Sequence, residues 1–248
     1  MLLTTATWQE VEQRIKSGKT GIIIPIGSHE QHGPTGLIGT DALCPQLIAY
    51  EAEKNNDLLI GPTFAVGQAQ HHMGFAGSMA LRPSTMIATI VDWTNSLVKH
   101  GFTHIYWLNG HGGNCATINA AFSETYYPYS FKNEKAPFAH KMMNWWELPN
   151  ITKLCFEMFP TGHGSHGTAS EVALTYWGYP EREVLNQMVL DPKIAPEGPI
   201  RDAVDYRNRF ADGRISSDPT QASVEKGAKI AEVAVASLVE DFAKFLET

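Results

Sequence analysis

The chain has 248 residues, 43% of them hydrophobic, which suffices for one large α/β domain over residues 1–248. Its 26 acidic residues outnumber 19 lysines and arginines, for a net charge of −7, and no basic run occurs, so there is no footprint for nucleic acid or an anionic membrane. No basic segment followed by an apolar core opens the chain, and runs such as Ile22 to Ile26 are far too short to span a bilayer, so a soluble cytoplasmic protein is expected.

In chain order, Thr7-Trp8-Gln9-Glu10 fits a capping box, and Trp8, Val11 and Ile15 recur at helical spacing until Gly18. Gly21 to Ile26 is short, β-branched and apolar on both faces, as in a strand covered by helices on each side, although Pro25 would remove a ladder donor. Thr40 can cap a helix from about Asp41 to Asn55, and Leu58 to Ile60 reads as a second strand. The Gly-rich segment from Gly61 to Arg82 is too irregular for an element and too apolar for a solvated linker, so it is expected to fold over a pocket. A helix from Ser84 to about His100, a strand from Thr103 to Leu108 and a helix capped by Asn114 and running to about Tyr126 follow. Pro137 to Met143 suggests another strand, and Thr168 to Glu171 a second capping box for a helix through Trp177. Asp191 to Thr220 is a long loop of the kind that meets a partner subunit, and a last helix runs from about Gln221 to Leu246. Strand, loop and helix alternate at least three times in the first half. That pattern implies a parallel sheet with helices on both faces and a ligand site beyond the carboxyl ends of its strands.

Two motifs occupy those ends: Glu30-Gln31-His32-Gly33-Pro34, leading on to Asp41, and Asn109-Gly110-His111-Gly112-Gly113-Asn114. Glu30 and His32 share one face of an extended backbone, and the two oxygens of Asp41 can bridge two cations. Asp41 also reads as a first-turn acid complementing a helix dipole. His111 stands among glycines, where little bulk keeps an ion or substrate from the backbone; the bland alternative is a phosphate-binding turn, without the Lys-Ser/Thr ending or Gly-x-Gly-x-x-Gly spacing of one. In Thr161 to Gly167, His166 suits a proton carrier or substrate contact, while Glu171 reads first as the end of a capping box. Of the adjacent His71 and His72, alternation along an extended chain lets at most one face the pocket. Trp145 and Trp146 read as core residues or as walls of an apolar pocket. Cys44, Cys115 and Cys155 form no Cys-x-x-Cys pair and read as buried free thiols, the first two beside a motif.

Ile26 to Pro34 with Thr40-Asp41, Asn109 to Asn114, Gly77-Ser78, His166 with Glu171, and Asp218-Pro219-Thr220 with Glu225 and Gly227 together resemble the creatininase family of amidohydrolases over most of the chain. The resemblance implies a three-layer α/β/α sandwich with a mostly parallel sheet, hydrolysis of a carbon–nitrogen bond of a small, often cyclic, amide by water activated at two divalent metal ions, and a homo-oligomer, commonly a hexamer. Carried over by position, Glu30 and His111 would hold one ion, His32 the other, and Asp41 would bridge them. Creatininase itself has a tyrosine and a metal-binding acid where Gly112 and Gly113 stand here, and a pocket tryptophan in place of Gly162. Glu171 is then the natural replacement ligand, a role that fits the cap only if its carboxylate turns outward. His166 and Glu171 become the candidate catalytic residues, and Ser78, Gly112, Gly113, Trp145 and Trp146 the candidate substrate contacts. Mixed carboxylate and imidazole donors suit zinc, manganese or iron. His166 would protonate the leaving nitrogen, and backbone N–H groups of the Gly110 to Asn114 turn would steady the oxyanion. Members with the Asn-Gly-His-Gly-Gly-Asn form include deformylases, a peptide-trimming enzyme and enzymes acting on oxidised cyclitols or sugars. The rivals are a non-catalytic protein binding an anion or sugar phosphate, and a metal-storing member that has lost activity.

Overall fold

The computed structural model describes residues 1–248. Three parallel strands, β1 (Gly21–Ile26), β2 (His104–Asn109) and β3 (Ala139–Asn144), pair in that order, with Gly21 opposite His104 and His104 opposite Ala139. The helices are α1 (Trp8–Lys16), α2 (Thr40–Asn55), α3 (Pro83–Lys99), α4 (Cys115–Phe131), α5 (Ile151–Met158), α6 (Ala169–Gly178), α7 (Ala203–Arg209) and α8 (Val224–Phe245).

Strand periodicity sorts the core into two layers. Ile22, Ile24 and Ile26 of β1 with Ile105 and Trp107 of β2 pack against α1, α3 and α4. Ile23, Tyr106 and Leu108 point the other way, against α2, α5, α6 and α8. Both faces are covered, so the strands are apolar throughout, and the fold is the three-layer α/β/α sandwich with a parallel sheet expected above.

The expected strand at Leu58 to Ile60 is corrected to isolated bridges: Ile60 meets Ile23 and Leu2, and Phe64 meets Ile26. Gly61-Pro62 interrupts the ladder between them. This also explains Pro25. Ile23 N–H donates to Leu59 O (3.0 Å) and Gly27 N–H to Phe64 O (3.0 Å), so the N–H that Pro25 lacks would have faced the interrupted edge. The two capping boxes form at Thr7 and Thr168, but two other caps do not. Thr40 is the first residue of α2, and its hydroxyl donates to Leu37 O (2.7 Å). Asn114 closes a 3-10 turn before α4, its side chain accepting from Gln68 N–H and donating to Gly27 O (3.0 Å each), which pins the 61–82 segment to the strand ends. The loop from Asp191 holds a helix that sequence reading missed, α7, whose cap is Asp202; its Oδ1 accepts from Val204 and Asp205 N–H (2.9 and 3.0 Å). Nearby, the fully buried Arg214 donates to Pro192, Lys193 and Ser217 carbonyls and pairs with Asp212. No helix is long and apolar enough to cross a membrane.

Candidate metal centre and its cavity

The carboxyl ends of β1 and β2 deliver the two motifs to one place. Just past β1, Glu30 and His32 are fully buried; Asp41 enters in the first turn of α2, and His111 follows β2. The approach of α2 is close enough to dictate sequence: a Cβ at Gly110 would stand 1.9 Å from Asp41 O. Asp41 divides its oxygens between two imidazoles, Oδ1 lying 2.9 Å from His32 Nε2 and Oδ2 2.9 Å from His111 Nδ1. Glu30 Oε2 lies 3.3 Å from His111 Nε2 and accepts the Ser28 hydroxyl (2.8 Å).

The three histidines of the cluster each have one ring nitrogen against a main-chain carbonyl, which only accepts, so that nitrogen carries the proton. His32 Nδ1 donates to Glu30 O (3.0 Å), His111 Nε2 to Gln68 O (3.0 Å) and His166 Nε2 to Gln31 O (2.6 Å). Each other nitrogen is thereby left towards the carboxylates, His166 Nδ1 being 3.7 Å from Glu30 Oε1. Donor atoms of Glu30, Asp41 and His111, of His32, Asp41 and Glu171, and of Glu30, His32 and His166 form groups in which all atoms lie within 4.8 Å of one another.

The electrostatics of this cluster call for positive charge. Burial would lower the His32 imidazole, but Asp41, Glu171 and Glu30 outweigh it and raise it to about 10; His111 is likewise raised to about 9 against burial, by Glu30 and Asp41. Burial opposes the ionised Asp41 too, yet His32 and His111 hold it well below the usual carboxylate range, whereas burial raises Glu30 and carries Glu171 to about 7. Glu30 Oε1 and Asp41 Oδ2 are buried without a directed hydrogen bond, although His72 Nε2 lies 3.0 Å from the first and His111 Nδ1 2.9 Å from the second. Such atoms are costly unless a cation reaches them, and the oxygen and imidazole donors fit a divalent transition metal.

Glu171 performs the cap and still stands in the cluster. Its Oε1 accepts Thr168 N–H while a carboxylate oxygen remains within 4.8 Å of His32 and Asp41, because a carboxylate has two oxygens; the cap does not require it to turn outward. At Gly113, a Cβ would meet His111 Nε2 at 2.4 Å, so this placement of His111 excludes a side chain there.

A cavity of about 610 Å³ opens onto these groups, with Gly112, Gly113, Trp145, Trp146, His166 and Glu171 on its walls. Ser78 is not among them; buried, it accepts Gln31 N–H on Oγ (3.2 Å) and braces the first motif from behind. Both His71 and His72 line the cavity, which corrects the expectation of at most one. They sit in a 3-10 turn, Gln70–His72, where successive side chains diverge by about a third of a turn and not a half. Within the Gly110 to Asn114 turn, the Gly110, His111 and Asn114 N–H groups are engaged by Ile26 O, Asn109 Oδ1 and His111 O, leaving those of Gly112 and Gly113 without a protein acceptor. Of the free thiols, it is Cys155 that reaches the cavity. Sequence reading also missed Ser28 and Gln68. Neither type is diagnostic, and each acts through contacts that only the fold creates.

The creatininase family model, described as creatinine amidohydrolase, matches residues 4–242. Creatinine amidohydrolase of Pseudomonas putida is 26% identical over 243 residues, 94% of this chain and 93% of that protein. The mycofactocin precursor peptide peptidase of Mycolicibacterium smegmatis is 30% identical over 106 residues (40% of this chain, 42% of that one), and the 3-dehydro-scyllo-inosose hydrolase of Thermotoga maritima 30% over 109 (44% and 35%). A solved mutant creatininase complexed with creatine has a TM-score of 0.84 at 24% identity, over 98% of this chain and 97% of that one. A Zn-Zn mutant form and a manganese form of creatininase give 0.83 and 0.82, each at 23% identity and the same coverage.

Proposed function

The chain belongs to the creatininase family of hydrolases, and from that premise we propose that it hydrolyses a carbon–nitrogen bond of a small amide, cyclic or open, at a two-metal centre held by Glu30, His32, Asp41, His111 and Glu171. The observation that carries this reading is the division of Asp41 between His32 and His111, each imidazole oriented by a main-chain carbonyl, as metal-binding histidines are. Divalent ions bound there would acidify water and polarise the scissile carbonyl, chemistry otherwise supplied by a covalent nucleophile. His166, fixed by Gln31 O through Nε2, has a bare Nδ1 that would take up a proton from the attacking water and pass it on to the leaving nitrogen. The free N–H groups of Gly112 and Gly113 are the donors for a developing oxyanion. Glu30, Asp41 and Glu171 at one cavity argue against an anion or sugar-phosphate binder, since they repel phosphate.

Creatinine is one candidate substrate among several, because relatives named for a peptide and for a dehydro-inosose match parts of the same chain. The test is metal analysis of the purified protein beside Asp41→Ala, followed by a panel of creatinine, formamides, lactams and dehydro-sugars with added zinc or manganese. Two ions per chain, lost in Asp41→Ala, with chelator-sensitive turnover of a panel member, is the expected result. A wild-type protein that takes up no transition metal and ignores chelation would overturn the reading.

A further inference from the structure

Beyond the ligand cluster, the cavity wall exposes mostly apolar surface, with hydroxyls and further imidazoles set into it, and carries no lysine or arginine. Trp145, Trp146, Phe156 and Ile200 supply its large apolar groups, and Phe156 and Ile200 are left 59% and 46% exposed. Among them His163 is held in place: its Nε2 lies 2.7 Å from Ser170 Oγ, a hydroxyl on a residue 3% exposed, and its ring stacks on Phe159 at 5.9 Å and leans on Phe156 at 5.4 Å. His163 Nδ1 has no protein partner. No lysine or arginine lines any part of the cavity, whereas Glu30, Asp41 and Glu171 do. Lys153 stands outside it, 78% exposed and 3.8 Å from Glu157, and Arg201, next to Ile200, is exposed. A volume of about 610 Å³ lies within the range of about 300–1,000 Å³ that holds drug-sized ligands, and exceeds what a single small ring such as creatinine fills.

Resting on the metal-centre reading above, we infer that the substrate is an uncharged amide bearing an aromatic or branched apolar group, which lies on Phe156, Trp146 and Ile200 with its polar edge hydrogen-bonded to His163, and that compounds with a carboxylate or phosphate at that position are excluded. Apolar area supplies the affinity, and the absence of a lysine or arginine supplies the discrimination: a carboxylate at that wall, away from the ligand cluster, would lose water against Phe156, Trp146 and Ile200 with no cationic side chain to pair it.

The experiment measures inhibition constants, or affinities by calorimetry, for three hydroxamates on the manganese-loaded full chain: acetohydroxamate, benzohydroxamate and 4-carboxybenzohydroxamate. They share a metal-binding head and differ only in what reaches the wall. The ring should improve affinity about tenfold over acetohydroxamate, and the added carboxylate should remove at least that gain. Phe156→Ala and His163→Ala should each erase most of the ring's advantage while leaving acetohydroxamate within about twofold, and Arg201→Ala should change none of the three. Equal or tighter binding of the carboxylated compound, or a ring advantage untouched by Phe156→Ala, overturns the inference. Failure of acetohydroxamate to bind would instead count against the metal centre. Benzamide against 4-carboxybenzamide, which need no metal, then puts the same question to the wall, with the same outcomes.

Discussion

Asp41 joins the two halves of the candidate centre because each of its oxygens faces a different histidine, and Glu171 joins the centre to α6 because one carboxylate serves both a helix cap and the cluster. The second arrangement is separable by substitution. Glutamine at position 171 can still accept Thr168 N–H, so Glu171→Gln should stay within about 1 kcal/mol of wild type in thermal melting while metal content falls from two ions towards one. Full metal retention would reduce Glu171 to a cap. His166→Ala should leave metal content unchanged and lower kcat by about 10²- to 10⁴-fold, and near-normal turnover would remove His166 from the mechanism. At this scale the sequence was informative where chemistry is rare, as at Glu30, His32, Asp41 and His111. It was silent on Ser28 and Gln68, common residue types whose roles depend on what the fold sets beside them.

The elements were legible wherever a local signal acts alone. Both capping boxes are readable in four residues, and both form. Thr40 and Asn114 are equally good caps by type, yet both side chains go elsewhere, that of Thr40 to Leu37 O three residues back and that of Asn114 to the distant Gln68 and Gly27. The two boxes differ in what depends on them. Thr7→Ala and Thr168→Ala should each cost about 1 kcal/mol in chemical denaturation. Thr7→Ala should leave turnover unchanged, because α1 carries nothing to the cavity. Thr168→Ala removes the acceptor of Glu171 N–H in the first turn of α6 and should lower kcat/KM severalfold; equal activity in both variants would separate the box from the centre.

Across the whole molecule, the opposite layer of the sandwich predicts a pH dependence of stability that has nothing to do with the centre. His140, in β3, stacks on Phe122 at 4.3 Å with its ring within 1° of parallel and accepts from Trp107 Nε1 at 3.3 Å. Burial, opposed weakly by a contact with Ile105, lowers it from the usual 6.5 to about 4. Between those values the unfolded chain binds the proton and the folded one does not. The stability carried by the neutral ring is therefore fully present above about pH 6.5 and is lost as pH falls towards 4, by about 2–3 kcal/mol after allowance for partial exposure. Unfolding curves across that window should flatten in His140→Gln relative to wild type; parallel pH profiles would mean that His140 is not the group responsible.

The sequence by itself determined the layer order and the identity of the chemical groups, because apolar periodicity, capping boxes and clustered acids and imidazoles are properties of neighbours along the chain. Only the tertiary structure decided how those groups are shared. That Asp41 divides between two histidines, that both His71 and His72 reach the cavity, and that no lysine or arginine lines it are relations between segments far apart in the chain. They are set by how closely α2, the 61–82 segment and α6 approach the ends of β1 and β2, a distance that no local pattern encodes.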